Sequence, residues 1–194
     1  RPRGQARQPY RRLLIMRPIC FLSMDSLAGY VSDDDLAIGP LTELGWDVAT
    51  VSWRSNTDWG RFDAVIIRTP WDYQDDPAKF LQVLARIEAS GTKLENSRAL
   101  AEWNFDKRYL AELETKGIPI VPTIWSKGSF TGDDLNAWLI ALDAPEVVIK
   151  PTVSATAQTT FRLTEFDPDI AARFTGRAFM VQPFVRSIVD EGEF

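Results

Sequence analysis

Two lysines carry the most chemistry in this 194-residue chain. Lys150 ends the apolar run Glu146-Val147-Val148-Ile149-Lys150 and is followed by Pro151 and a loop of small residues from Thr152 to Thr160. A lysine is costly to bury unpaired. At a strand end its head is expected either in water or on a ligand in the adjoining cleft. The loop offers backbone N–H groups and hydroxyls without bulk, which suits a phosphate. It has no glycine, so it is neither a Walker loop nor a dinucleotide fingerprint. Lys107 follows Trp103-Asn104-Phe105-Asp106 at the expected start of a helix. Read alone, Asn104 or Asp106 caps that helix and Lys107 points to solvent. The third segment is Val181-Gln182-Pro183-Phe184-Val185. A strand that ends in a polar residue and a proline leaves backbone groups free of the ladder. Such groups could meet the edge of a heterocycle such as adenine, and Glu193 could take ribose hydroxyls. On their own these residues read as an edge strand and an acidic turn.

The elements that must position these groups fall into two halves. In the first, strands are expected at Ile15–Leu22, Trp46–Trp53, Phe62–Arg68 and Lys93–Asn96. The third is almost continuously apolar, as a parallel strand covered on both faces would be. Asp33-Asp34-Asp35 is expected to cap a helix through Leu41 and Leu44 to Gly45. Asp76-Pro77 opens a second helix, with Phe80, Leu81, Leu84 and Ile87 on one face and Gly91 at its stop. This β-α-β-β-α-β order predicts a small α/β domain with a largely parallel sheet. In the second half, helices are expected at Asn104–Lys116, Asp133–Leu142 and Pro168–Phe174. Strands are expected at Ile118–Trp125 (interrupted by Pro119 and Pro122), Glu146–Pro151, Phe161–Leu163 and Ala178–Val185. A boundary falls near residues 96–104.

Composition narrows the function classes. Residues 1–17 hold six of the 22 Lys and Arg and none of the 27 Asp and Glu, so the rest of the chain carries a net −11. A body this acidic is a poor coat for nucleic acid. The basic start has no apolar stretch behind it and does not read as a secretory signal; residues 1–14 are expected to form a disordered leader. No apolar run reaches the roughly 20 residues of a membrane helix. The single cysteine, Cys20, lies in an apolar run and reads as a small core residue, in keeping with a reducing cytoplasm. The chain contains no histidine, which excludes Ser-His-Asp and Cys-His catalysis within it. Any chemistry runs on Lys, Arg, carboxylates, hydroxyls and backbone amides.

The order of the segments is more specific than any one of them. Trp103-Asn104-x-Asp106-Lys107-x-Tyr109-Leu110, Gly117-Ile118-Pro119-Ile120-Val121-Pro122-Thr123, Val147-Val148-Ile149-Lys150-Pro151 with its small-residue loop, then Val181–Val185 and Gly192-Glu193, resemble the ATP-grasp superfamily. The likeness is to its glutathione-synthetase-like branch, and within it to the group containing the cycloserine-pathway O-ureido-serine cyclo-ligase. Leu22-Ser23-Met24, Asp33–Asp35, Leu44-Gly45-Trp46 and Arg68-Thr69-Pro70-Trp71-Asp72-Tyr73 resemble that group's pre-ATP-grasp domain.

The resemblance covers about residues 15–194. It implies a pre-ATP-grasp parallel-sheet domain over 15–100, then the first α+β subdomain of an ATP-grasp fold over 101–194, incomplete at its end. Lys107 and Lys150 would hold the ATP phosphates, and the loop with Ser154 and Ala155 would cover them. Gln182, Pro183, Phe184 and Val185 would form the adenine hinge, and Glu193 would bind ribose. Ser23, Asp25, Arg68, Trp71, Asp72 and Tyr73 would face a small carboxylate or amino-acid substrate. The implied reaction activates a carboxylate as an acyl phosphate and releases ADP. Its Mg2+ ligands are expected beyond residue 194. The rival readings are a non-catalytic nucleotide-binding or interaction module, and a Rossmann-type enzyme. The latter is weakened because Ser23-Met24-Asp25-Ser26-Leu27 lacks a glycine-rich turn. The oligomer is not fixed by sequence; a homodimer is the commonest soluble assembly.

Overall fold

The computed structural model describes residues 16–155, 157 and 159–192. The basic leader, Thr156, Gln158 and Glu193 lie outside that set. Contacts divide the chain into two compact units, Arg1–Pro70 with Ala78–Asn96, and Trp71–Pro77 with Ser97–Phe194.

The first unit is built on four parallel strands: β1 (Arg17–Ser23), β2 (Trp46–Ser52), β3 (Ala64–Thr69) and β4 (Lys93–Glu95), in the order β2-β1-β3-β4. Helix α1 (Asp34–Glu43) follows β1, and α2 (Pro77–Ala89) follows β3. The strand buried throughout is β1, from Ile19 to Ser23, because it sits between β2 and β3. β3, expected to be covered on both faces, is fully buried only at Val65 and Thr69. Gly45 closes α1 at φ +88°, a conformation open to glycine at little cost, and its carbonyl accepts from Arg17 N–H where β1 begins. The buried face of α2 is Phe80, Val83, Leu84 and Ile87, with Val83 in place of the expected Leu81. Phe80 meets the fully buried Trp53 edge-on at 5.5 Å. Cys20 is fully buried, and burial pushes its thiol up to about 12, so it is a core side chain and not a thiolate nucleophile.

The α1 start differs from expectation. Asp33 makes no side-chain cap; Ser32 Oγ accepts from Asp34 N–H instead. Asp34 is drawn inward as the helix's one buried residue, where it takes Arg68.

The second unit contains α3 (Arg98–Asn104), α4 (Tyr109–Thr115), β5 (Ile124–Lys127), α5 (Gly132–Ala141), β6 (Val147–Pro151), β7 (Phe161–Leu163), α6 (Pro168–Ala172), β8 (Ala178–Pro183) and α7 (Ser187–Asp190). Its sheet runs β5-β8-β6-β7 and is antiparallel throughout. Alternation along β6 and β8 sends Val147, Ile149, Phe179 and Val181 into the core, where Phe130, Trp138 and Phe174 join them. Ring centroids of 5.0 to 6.1 Å link Phe174 to Phe130, Phe161 and Phe179. A capping box of Thr131 and Asp134 starts α5.

Two expected elements change here. The helix expected at Asn104–Lys116 starts only at Tyr109, as α4, and α3 (Arg98–Asn104) before it was not expected; residues 105–108 separate the two. The strand expected from Ile118 begins only at Ile124, after Pro119 and Pro122, which cannot donate to a ladder.

The aromatic cluster gives the first prediction. Phe174→Ala removes a fully buried ring from the second unit's core and is expected to cost about 3–5 kcal/mol, read from urea denaturation. A loss below about 1 kcal/mol would mean that the cluster does not hold this unit together.

Candidate functional site

The break between α3 and α4 sets the site. Lys107 N–H donates to Thr152 O at 2.8 Å, a bond that withdraws it from a helical ladder. Asp106 fixes the turn from both carboxylate oxygens: Oδ1 accepts from Arg108 N–H at 3.0 Å and Oδ2 from Thr152 Oγ1 at 3.2 Å. The Lys107 side chain therefore runs along the loop after β6, not into solvent. Its Nζ donates to Ser154 O at 2.7 Å and to Ser154 Oγ at 2.9 Å. Two of its three N–H groups are spent on the loop, leaving one for a ligand oxygen.

Lys150 reaches the same place from β6. Val148 and Lys150 alternate onto the face of the sheet opposite the core, and both lysines line one cavity of about 480 Å³ with Ser154 and Ala155. Burial pushes the Lys107 ammonium below its ordinary value first, and the charge of Lys150 lowers it further, against the opposing pull of Asp106. Two like charges in a half-buried cleft are destabilising for one another. A polyanion placed between them reverses the sign of that interaction. The apolar remainder of the cavity is formed by Val121, Val148, Phe184, Val185 and Ile188. Its size falls within the range of small-molecule sites.

The hinge is more fully bonded than expected. β8 stays in register with β6 through Gln182↔Val148 and Pro183↔Val147, and Phe184 N–H donates to Glu146 O at 3.2 Å. The ladder thus extends past the proline, whose place in it needs no N–H. The buried Gln182 side chain donates Nε2 to Thr123 Oγ1 at 2.9 Å, which ties the hinge to the segment before β5. Gln182, Pro183, Phe184 and Val185 all line the cavity with the two lysines. Glu193 lies outside the described residues.

The six residues expected at a substrate face divide between the units. Ser23, Asp25 and Arg68 lie at the C-terminal ends of the first unit's strands. There Thr69 Oγ1 donates to Ser23 Oγ at 2.8 Å, and Ser52 Oγ donates to Asp25 Oδ1 at 2.5 Å. Arg68 donates to the buried Asp34 carboxylate through Nε at 2.7 Å, and its Nη2 lies 2.6 Å from the same oxygen. Trp71, Asp72 and Tyr73 belong to the second unit, where Tyr73 packs its ring 4.9 Å from that of Phe105. Sequence reading missed Asp34, Ser52 and Thr69 as partners at these strand ends. It also missed a second cavity of about 560 Å³, which Gln74, Asp75, Asp106, Ser154 and Arg177 help to line. Among the described residues, no cluster of three carboxylate or cysteine side chains is placed to hold a metal ion. No helix among them is long and apolar enough to cross a membrane.

A parallel α/β unit, followed by an antiparallel sheet that presents two lysines and a small-residue loop to one cleft, is the ATP-grasp architecture. Solved structures agree. The chain superposes on D-cycloserine synthetase DcsG with a TM-score of 0.72 at 27% identity, over 90% of this chain and 62% of that one. It superposes on a RimK-domain ATP-grasp protein from Sphaerobacter thermophilus with a TM-score of 0.59 at 21% identity, over 87% of this chain and 64% of that one, a likeness of fold alone. Residues 19–96 match the family described as D-cycloserine synthetase DcsG, N-terminal domain. Over 172 residues the chain is 32% identical to cycloserine biosynthesis protein DcsG of Streptomyces lavendulae, which is 82% of this chain and 57% of that protein. It therefore spans a little over half the length of that relative.

Two predictions follow from this geometry. Lys150→Ala removes the neighbouring charge, so the Lys107 ammonium is expected to titrate at higher pH in that variant. Nitrogen-detected NMR of the labelled lysine reads this directly, and an unmoved titration would place the two heads too far apart to interact. In the first unit, Arg68→Met takes from the buried Asp34 its charged partner and is expected to cost about 1–3 kcal/mol of unfolding free energy. A change within about 0.5 kcal/mol would show that Asp34 does not depend on Arg68.

Proposed function

We propose that the chain is the ATP-clamping part of a ligase that joins a carboxylate to an amine, with ADP as the nucleotide product. The observation that carries this reading is the convergence of Lys107 and Lys150, from separate segments, on one cavity whose other end is apolar. The strand dimension fits. From Lys150 back to Glu146, which bonds the hinge, is four residues, or about 13 Å at about 3.3 Å per residue. That compares with an extended nucleoside triphosphate from γ-phosphate to base. The triphosphate would lie between the two ammonium groups, with Ser154 and Ala155 over it. The base would lie against Phe184 and Val185, among Val121, Val148 and Ile188.

In the first chemical step a substrate carboxylate oxygen attacks the γ-phosphorus, the bond to the β-bridging oxygen breaks, and ADP leaves with that electron pair. In the second, an amine nitrogen attacks the acyl carbon, phosphate departs, and the nitrogen loses a proton to solvent. Neither step needs a protein nucleophile. The lysines contribute by neutralising charge on the transferring phosphoryl group and by holding it in line. Such reactions commonly use Mg2+. The described residues supply no cluster for it, and no step here is routed through it. In the first unit, Ser23, Asp25 and Arg68 are proposed to face the substrate. Arg68 would do so with one carboxylate, Asp34, already in its grip.

The test is nucleotide binding by calorimetry. Lys150→Ala removes a charge-assisted bond of about 1.5–3 kcal/mol, so ATP affinity is expected to fall by about 10- to 100-fold while the circular dichroism spectrum is unchanged. Unchanged affinity, or no ATP binding by the parent chain, would sink the reading. Release of AMP in place of ADP during acceptor-dependent turnover would exclude the acyl-phosphate chemistry.

A further inference from the structure

The base end of the cavity is braced by a residue that does not line it. β6 is flanked by β7 and β8, and the registers Val148↔Arg162 and Val148↔Gln182 place Arg162, Val148 and Gln182 in one row. Directly paired residues share a face, so Arg162 lies on the cavity side of the sheet. Two residues along from that row, Glu146 just before β6 and Phe184 just after β8 are brought to the same face, joined by the Phe184 N–H bond to Glu146 O. The side chains close on one another. Arg162 pairs with Glu146 through both forks of the guanidinium, Nε to Oε2, and Nη2 to Oε1 at 2.6 Å. The same guanidinium sits over the Phe184 ring, 3.7 Å from its centroid. A planar cation held at two points by a carboxylate is fixed in orientation, which a lysine ammonium would not be. Stacked on Phe184, it fixes that ring in turn. Phe184 lines the cavity directly, and Glu146 and Arg162 do not.

We propose that Arg162, clamped on Glu146, is a positioning residue for the nucleotide base: it holds the Phe184 ring and its hinge in the one orientation against which a planar heterocycle packs. The inference rests on the nucleotide reading of this cavity and adds a residue in contact with no part of the ligand. It divides the site into two energetically separable ends, a phosphate end set by Lys107 and Lys150 and a base end set through Arg162.

The experiment compares ATP with inorganic tripolyphosphate, which has the charge and no base, by calorimetry on the whole chain. Arg162→Ala is expected to weaken ATP by about tenfold and to leave tripolyphosphate affinity within twofold. Arg162→Lys, which keeps a cation over the ring without the fork, is expected to fall between the parent and the alanine variant. In a Phe184→Ala background, Arg162→Ala is expected to have no further effect on ATP. The inference is overturned if ATP affinity survives Arg162→Ala, if tripolyphosphate weakens by the same factor, or if the two substitutions add. Failure of the underlying nucleotide reading shows differently, as an absence of ATP binding by the parent chain.

Discussion

Everything in the second unit is organised around a repulsion. Two ammonium groups enter one cleft, one from the turn before α4 and one from the end of β6, and each raises the cost of the other's charge. Burial displaces the Lys107 ammonium below its ordinary value, and the charge of Lys150 lowers it further. Proteins retain such an arrangement where an anion completes it. The structure holds Lys107 at this cost through four bonds: its own N–H to Thr152, its Nζ twice to Ser154, and Asp106 to Thr152. None of these is an ion pair that would quench the lysine. The loop carbonyl and hydroxyl orient the head and leave its charge available.

The rest of the unit serves as a rigid mount. A sheet whose inner face is packed on Phe130, Trp138 and Phe174 has little freedom to shift its outer face. Val148, Lys150 and Gln182 are thereby fixed relative to one another. Gln182 spends its amide on Thr123, and Phe184 spends its N–H on Glu146, so the hinge is anchored on both sides before any ligand arrives. Preorganisation of this kind lowers the ordering cost of binding.

Much of this was legible in the sequence, for identifiable reasons. The first unit's β-α-β-β-α-β rhythm, with helix stops at Gly45 and Gly91, is what pointed to a largely parallel sheet. Lys150 was legible because a lysine closing Val147-Val148-Ile149 has no apolar reason to be there. Other features depend on contacts between residues distant in the chain. The late start of α4 cannot be read locally, since Phe105 to Arg108 are acceptable in a helix and Lys107 N–H is instead bonded to Thr152 O, 45 residues away. The role of Asp34 was hidden by its neighbours Asp33 and Asp35, which look like the same cap; only the fold shows that Ser32 caps and Asp34 turns inward. Arg162 and Glu146 become partners only once the register of three strands is known.

The central claim is that both lysines meet one triphosphate. It is tested most directly by a crystal structure of this chain with a non-hydrolysable ATP analogue. The account predicts the nitrogens of Lys107 and Lys150 each at about 2.8 Å from phosphate oxygens of a single molecule, with its base against Phe184. Phosphates bound away from either lysine, or a nucleotide seated in another cavity, would contradict it.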